Sequence, residues 1–152
     1  MNYSMITEEL LVGTTPDVKD YDLLREMGVG LVINMRIERR PYPDPSVSPL
    51  KFLWLPTIDW ALFPIPIPML RRGAQLALET IQAGRKVLTH CAGGRHRGVA
   101  MGAAVLIARG FEAEEAMQLI ASRRKVADPQ VYYIRSRILR FAQQWQILKG
   151  SL

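Results

Sequence analysis

The sequence predicts an α/β fold with a central, mostly parallel twisted sheet of about four to five strands, flanked by helices. Short apolar runs typical of buried strands lie at 31–33, 51–55 and 87–89. Segments with helical spacing separate these runs, and strands that alternate with helices are typical of a parallel sheet covered by helices. The chain has 152 residues, of which 49% are hydrophobic, so one domain spanning 1–152 is expected.

Two strands and one helix are expected before the first of these runs. Residues 4–6 and 10–12 flank a short polar turn, which is typical of a strand pair. Thr15 is the expected N-cap of the helix that follows, with Pro16 at its first position. Gly28 marks the end of that helix, since glycine is common just beyond a helix C-terminus.

The second half of the chain is predicted to be mainly helical around one strand. Apolar residues recur at helical spacing in 69–82, and the segment 98–109 is apolar on every side, which predicts a central, buried helix. Two further helices are expected at 112–124 and 129–147. The last carries an apolar stripe that should pack into the core.

The net charge is +6, and it is unevenly distributed along the chain. The first 30 residues hold two basic and six acidic side chains, so the remainder is strongly basic. A basic surface favours anionic partners such as phosphate esters, nucleic acid or an acidic membrane face, although a solvated arginine-rich surface has the same composition. The basic residues are dispersed, so no stable nucleic-acid partner is expected.

Cysteine and histidine are scarce in this chain. Cys91 is the single cysteine, which excludes an intramolecular disulfide and is typical of a reducing compartment, so a cytoplasmic location is expected. With two histidines, a zinc site is not expected, and no other metal or cofactor is predicted. The longest apolar stretch, 98–108, is too short for a transmembrane segment, and the first dozen residues show no signal peptide.

One segment, HCAGGRHRG at 90–98, carries the chemistry. A loop between a buried strand and a buried helix directs backbone N–H groups toward one point, and Gly93 and Gly94 permit the tight turn. A helix N-terminus and a nearby guanidinium favour deprotonation of a thiol, so we expect Cys91 to be a thiolate at neutral pH. Arg97 offers a planar fork for two phosphate oxygens. The segment therefore predicts a nucleophile beside an oxyanion-binding loop. The alternative is an inert cysteine in a glycine turn.

HCAGGRHRG resembles the HC-x5-R signature loop of the cysteine-based protein tyrosine phosphatases, and in particular that of the compact dual-specificity phosphatases. The stretch ITEELLVGTTPDVKDYDLLREMGVGLVINMR is similar to the usual start of that family, so the resemblance covers nearly the whole chain. It implies a dual-specificity phosphatase-like domain and a phosphoric monoester hydrolase. Cys91 would attack phosphorus to form a thiophosphoryl intermediate, which water then hydrolyses without a metal. The resemblance assigns phosphate binding to Arg97 and to the loop at Ala92, Gly93, Gly94, Arg95 and His96.

The reaction requires a general acid that protonates the leaving oxygen. Asp59 lies in a Pro-rich loop after a strand, 32 positions before Cys91, in a setting similar to that of the family's acid-loop aspartate. Asp44, in the preceding Pro-rich loop, is a weaker rival. Either carboxylate could instead be a loop cap or a surface charge. Gln130 is a further candidate for the neighbourhood of the pocket.

Supporting roles are implied for residues around this loop. His90 is expected behind the loop, where it would help to hold the nucleophile as a thiolate. Arg36 and Glu38, in NMRIE, resemble a family Arg-x-Glu and are expected to buttress the site rather than to react. Trp60 and Phe63 would either shape the rim of the pocket or simply pack.

Gly98 departs from the family pattern, which commonly has serine or threonine after the signature arginine. In the family, that hydroxyl assists departure of the cysteine thiolate when the phosphocysteine is hydrolysed. Its absence here predicts that this second step is slow. It also leaves open a low-turnover, phospholigand-binding pseudophosphatase. A rhodanese-like sulfurtransferase is another alternative, although the upstream acid loop argues against it.

Two further basic side chains, Arg95 and His96, lie inside the loop. Extra positive charge suits a substrate with more than one phosphate, such as a phosphoinositide, an inositol phosphate or a triphosphorylated RNA end. If Arg95 points to solvent instead, a protein with phosphotyrosine, phosphoserine or phosphothreonine is equally suitable. Both substrate classes stay open.

Overall fold

The computed structural model describes residues 1–150, and Ser151 and Leu152, which the predicted domain includes, lie outside the described residues. The strands are β1 (Tyr3–Met5), β2 (Leu10–Thr14), β3 (Val29–Arg36), β4 (Lys51–Thr57) and β5 (Lys86–Cys91). The helices are α1 (Tyr21–Met27), α2 (Ile67–Gln82), α3 (Arg97–Ala108), α4 (Ala113–Arg123) and α5 (Tyr132–Gly150).

The five strands form one sheet in the order β1-β2-β5-β3-β4. β1 runs antiparallel to β2 at one edge, and the other neighbouring strands are parallel. The predicted α/β fold with a mostly parallel sheet is therefore confirmed. β5 lies between β2 and β3, so Cys91 at its end is placed in the middle of the carboxyl edge of the sheet, where open α/β sheets bind their ligands.

Alternate side chains of each central strand enter two separate cores, as the two-residue period of a strand requires. Val87 of β5 packs into the larger core, which α2, α3, α4 and α5 cover, whereas Leu88 packs into the smaller core beneath α1. Ile33 and Val32 of β3 divide in the same way. Both faces of the sheet are covered, which holds the carboxyl ends of the strands in fixed positions.

Helix α3 is the central helix, as the apolar segment 98–109 predicted. Every residue from Arg97 to Ile107 is buried, so the helix is enclosed by the rest of the fold from its N-terminus onward. Within residues 1–150, no helix has the length and apolar content needed to cross a bilayer.

The start of α1 differs from the prediction. A 3-10 turn at Val18–Asp20 precedes the helix, and the Asp20 carboxylate accepts a hydrogen bond from the Asp17 backbone N–H at 2.8 Å. The Thr15 hydroxyl instead donates to the Cys91 carbonyl at 3.3 Å and accepts from Arg36 Nη1 at 2.8 Å. The prediction of Thr15 as an N-cap is wrong because these two long-range partners occupy its hydroxyl.

Candidate active site

The candidate site is formed where the carboxyl end of β5 meets the N-terminus of α3. Cys91 is the last residue of β5 and is 3% exposed, and α3 begins at Arg97. The intervening loop, 92–96, spans the gap between a central strand and a central helix. The signature residues are thus placed at an edge that the two covered faces of the sheet hold rigid.

The loop is fixed from behind by Arg124, which follows α4 and is buried. Its Nε donates to the Gly94 carbonyl at 2.7 Å and its Nη2 donates to the Gly93 carbonyl at 3.2 Å. Gly94 has φ +61°, and a Cβ there would lie 2.5 Å from Arg124 Nη2 and 2.7 Å from the Gly13 carbonyl oxygen. Only glycine fits such a position, so the tight turn expected of the loop is present at Gly94.

Arg97 is clamped by a carboxylate and by two strand-end carbonyls. Its Nη1 and Nη2 donate to the two oxygens of Glu38 at 2.9 and 3.1 Å. Nη1 also donates to the Thr57 carbonyl at 2.8 Å and to the Met35 carbonyl at 3.3 Å. The hydrogen bonds from Arg97 outweigh burial and lower the pKa of Glu38 to about 2. Burial works against the charge of Arg97, but the hydrogen bonds to Glu38 and the charge of Cys91 raise its pKa.

Two N–H groups of Arg97 remain without a hydrogen-bond partner within residues 1–150, namely Nε–H and the second N–H of Nη2. Arg97 Nε is buried and has no hydrogen-bond partner among the described residues. Buried donors are normally satisfied, so an unpaired N–H beside a glycine loop is a place where an oxyanion would be accepted.

Arg36 and Glu38 form the wall behind that guanidinium. Arg36 Nε lies 3.3 Å from a Glu38 oxygen, so a single carboxylate faces Arg36 and Arg97 together. His90 is 2% exposed, and its Nδ1 has no partner among the described residues. Burial, with the nearby cations Arg36 and Arg39, lowers the pKa of His90 to about 4, so this imidazole is neutral at physiological pH.

Asp59 lies in the loop after β4, next to the signature loop. Its Oδ2 is 3.1 Å from His96 Nδ1, and its Oδ1 accepts a hydrogen bond from the Tyr133 hydroxyl at 2.7 Å. Burial alone would raise the pKa of Asp59, but the hydrogen bonds with His96 and Tyr133 outweigh it and leave the pKa lowered. The structure therefore brings the predicted acid to the signature loop and favours its ionised form.

The acid loop exposes its aromatic side chains. Trp60 is 56% exposed and Phe63 is 55% exposed, so neither packs into the core. Packing into the core is therefore not their role, and a position on the rim of the pocket stays a prediction.

The other predicted candidates lie elsewhere. The carboxylate of Asp44 accepts hydrogen bonds from the Ser46 and Leu50 backbone N–H groups and pairs with Arg25, so it organises its own loop. Gln130 is bonded to Glu114 and Arg135 on α4 and α5. Neither side chain contacts the signature loop in these hydrogen bonds.

Arg95 extends away from the interior of the loop. Its side chain is 60% exposed, and its Nη2 lies 3.8 Å from Asp128 Oδ2. The Arg95 carbonyl also accepts a hydrogen bond from the Asp128 backbone N–H at 3.0 Å. Asp128 therefore anchors this corner of the loop and faces the extra positive charge.

The sequence did not point to Arg124, Asp128 or Tyr133 as residues of the site. Arg124 is one of several arginines near the end of a helix, and Tyr133 lies outside the apolar stripe of α5. A buried arginine and a tyrosine with two polar contacts become visible only when the loop, α4 and α5 are assembled.

Solved structures of phosphatases share the fold of this chain. PTPMT1 matches with a TM-score of 0.86 and 23% identity, over 99% of this chain and 100% of that chain. Human DUSP28 matches with a TM-score of 0.83 and 21% identity over 95% of each chain. A mouse putative dual specificity phosphatase complexed with zinc tungstate matches with a TM-score of 0.85 and 21% identity, over 97% of this chain and 90% of that chain.

The chain therefore has the fold of the dual-specificity phosphatases, and the resemblance inferred from its motifs is confirmed at that level. No protein-family model matches the chain, and no curated protein matches it in sequence.

Proposed function

We propose that this protein is a metal-independent phosphoric monoester hydrolase of the dual-specificity phosphatase type that requires no cofactor. The observation that carries the proposal is the hydrogen bonding of the buried Arg97 guanidinium. Glu38 and the Thr57 carbonyl hold its Nη atoms, and its buried Nε is left without a partner among the described residues. A planar guanidinium that is oriented in advance beside a glycine loop is suited to the oxygens of a transferring phosphoryl group.

In the proposed reaction, the Cys91 thiolate attacks phosphorus in line with the leaving oxygen. The sulfur–phosphorus bond forms as the phosphorus–oxygen bond breaks, and the leaving oxygen takes a proton from Asp59 of the acid loop. Arg97 and the loop amides of 92–96 stabilise the equatorial oxygens. Water then attacks the phosphocysteine, releases inorganic phosphate and returns the thiolate.

Two substrate classes suit this site. One is a phosphoprotein, and the other is a multiply phosphorylated small molecule such as a phosphoinositide or an inositol phosphate. One of the similar structures is PTPMT1 in complex with PI(5)P. The exposed Arg95 could meet a second phosphate, but Asp128 at 3.8 Å already faces its charge. Parallel assays with a phosphotyrosine peptide and a short-chain phosphoinositide decide between the classes.

The test is rapid mixing of the protein with p-nitrophenyl phosphate, without added metal, at about pH 6. A burst of nitrophenolate approaching one equivalent, followed by slower turnover, is expected of a phosphocysteine that forms faster than it breaks down. Cys91→Ser should abolish release and still bind inorganic phosphate. Arg97→Lys should lose at least about 10²-fold in kcat/KM, because a point charge does not replace the fork. No release from fully reduced protein would refute the proposal.

Asp59→Asn tests the acid assignment separately. Loss of a general acid costs about 10² to 10⁴ in rate, and the loss should be larger for phenyl phosphate than for p-nitrophenyl phosphate, because the phenyl ester has the more basic leaving group. An Asp59→Asn variant with wild-type rates on both esters contradicts the role given to Asp59.

A second candidate function is a phospholigand-binding module with little turnover. Two observations favour it: Gly98 carries no hydroxyl, and the contacts of Asp59 favour the carboxylate over the acid. A protein of this kind would bind inorganic phosphate and release at most one equivalent of nitrophenolate, with no turnover after it. The rhodanese-like alternative gains no specific support from the contacts within residues 1–150.

A further inference from the structure

His96, Asp59 and Tyr133 form a polar cluster at the mouth of the signature loop. His96 Nδ1 lies 3.1 Å from Asp59 Oδ2 and 3.2 Å from the Tyr133 hydroxyl. The hydroxyl also donates to Asp59 Oδ1 at 2.7 Å. The His96 side chain is 17% exposed, so the cluster is sheltered without being closed to solvent.

Asp59 Oδ1 accepts a hydrogen bond from the Tyr133 hydroxyl, and Oδ2 lies within hydrogen-bond distance of His96 Nδ1. A carboxylate that accepts a hydroxyl proton on one oxygen and an imidazole N–H on the other is held in its ionised form. The lowered pKa of Asp59 has the same cause. An ionised carboxylate has no proton to give to a leaving oxygen, so the acid loop requires a second source of that proton.

We propose that His96 is that source, and that the acid of this reaction is the His96–Asp59 pair rather than Asp59 alone. The inference rests on the proposed phosphatase function. His96 Nδ1–H is the proton reservoir, and Asp59 Oδ2 is the acceptor that passes a proton toward the leaving oxygen. Tyr133 orients the carboxylate between the two.

Charged groups of both signs face the imidazole. Asp59 approaches from the loop after β4, and Asp128 Oδ2 lies 3.8 Å from His96 Nε2 on the loop before α5. Tyr133 faces it from α5, while Arg95 and Arg97 flank it within the chain. The His96 ring therefore lies among two carboxylates, two guanidinium groups and the N-terminus of α3.

The proton balance closes over the two chemical steps. In the first, the sulfur of Cys91 bonds to phosphorus, the ester oxygen leaves with the bonding electron pair, and it takes a proton from Asp59. Asp59 gives that proton only as it takes one from His96 Nδ1, so the pair changes from imidazolium and carboxylate to neutral imidazole and carboxylate. In the second step, water attacks phosphorus and gives its proton through Asp59 to His96, while the sulfur departs as a thiolate.

The unaltered protein provides the first test. The chain has two histidines, and His90 is buried with its pKa lowered to about 4, so imidazole NMR signals of His96 can be followed separately. We expect the titration midpoint of His96 to coincide with the alkaline limb of the kcat/KM profile for phenyl phosphate. A separation of more than about one pH unit overturns the proposal.

His96→Asn provides the second test. The asparagine amide still donates a hydrogen bond to Asp59 but cannot carry a proton between steps. At about pH 7 we expect a loss of about 10²-fold with phenyl phosphate and less than about 10-fold with p-nitrophenyl phosphate. The alkaline limb should move to acid pH, where a carboxyl group titrates. Equal losses on both esters with an unmoved limb would show that His96 merely positions Asp59, and the proposal would be wrong.

Tyr133→Phe is the matched control. It removes one hydrogen bond to Asp59 and leaves both titrating groups, so the alkaline limb should keep its position even where the rate falls. A limb that moves equally in Tyr133→Phe and His96→Asn contradicts the proton role of His96.

The nitrophenolate burst separates this proposal from the one on which it rests. A burst in both the wild type and His96→Asn shows that Cys91 is phosphorylated in each, so any difference between their pH profiles belongs to the acid. A wild type without turnover or burst refutes the phosphatase itself, and the His96 proposal falls with it.

Discussion

Gly98 is the position at which a single added carbon tests both the packing and the chemistry. A Cβ on Gly98 would lie 3.0 Å from the carbonyl carbon and from the Cα of His90, and 3.1 Å from the Cys91 nitrogen. All three atoms belong to the backbone of the central strand β5 and cannot swing aside as a side chain could. Gly98 therefore lets α3 approach β5 closely beside Cys91.

The change in the free energy of unfolding expected for Gly98→Ala is the difference between two opposing effects. Replacing glycine by alanine inside a helix ordinarily stabilises a protein by about 0.5 to 1 kcal/mol. Crowding a well-packed core costs about 1 to 3 kcal/mol. Because the crowded atoms are backbone, we expect crowding to win and Gly98→Ala to lose between about 0 and 2.5 kcal/mol, which for this length lowers Tm by up to about 10 °C.

Urea unfolding and rapid mixing give the two readouts for Gly98→Ala and Gly98→Ser. Both variants should be destabilised alike and should form phosphocysteine more slowly, because the added carbon displaces the backbone of Cys91. The hydroxyl effect is then the ratio of phosphocysteine breakdown in the serine variant to that in the alanine variant, which should exceed one. An alanine variant that is about 0.5 to 1 kcal/mol more stable than the wild type refutes the packing argument. A ratio of one refutes the assistance by the hydroxyl.

Two more substitutions test the supports of the loop. Glu38→Gln should destabilise the protein by about 1 kcal/mol, at the low end for charge-assisted hydrogen bonds because the carboxylate is partly exposed. Since the pKa of Glu38 falls from 4.5 to about 2 on folding, its contribution is full above pH 4.5 and is lost as the pH falls toward 2. Unfolding in urea over that range should show wild type and variant converging, and a constant difference would contradict the assignment. Arg124→Lys removes the paired hold on the Gly93 and Gly94 carbonyls, so inorganic phosphate should bind about 10-fold more weakly. The exposed neighbour Arg123→Lys serves as the control, and equal effects of the two would remove Arg124 from the site.

The parts of the fold that could be predicted depend on short-range patterns. The buried strand at 87–89, the all-apolar helix after it and the Cys–x5–Arg spacing all lie within a few tens of residues, and the structure has β5 and α3 there. The helix start at Thr15 was mispredicted because a local capping pattern competed with a partner 76 positions away, the Cys91 carbonyl. The hydrogen bond between Tyr133 and Asp59 joins residues 74 positions apart, and no short-range sequence pattern predicts such a contact.

The contacts around the signature loop can be explained together by the charges that are buried there. Two buried guanidiniums, Arg97 and Arg124, flank the signature loop, and Glu38 pairs with Arg97. The hydrogen bonds of Arg124 go to the Gly93 and Gly94 carbonyls and to neutral polar side chains, with no carboxylate partner found within residues 1–150. A buried cation without a carboxylate is costly unless another anion faces it. Burial lowers the pKa of Arg124, and the charge of Cys91 opposes that lowering. We expect an oxyanion bound in the signature loop to be the partner of this guanidinium. On this argument, the residues that hold the loop in place also prepare it to receive an anion.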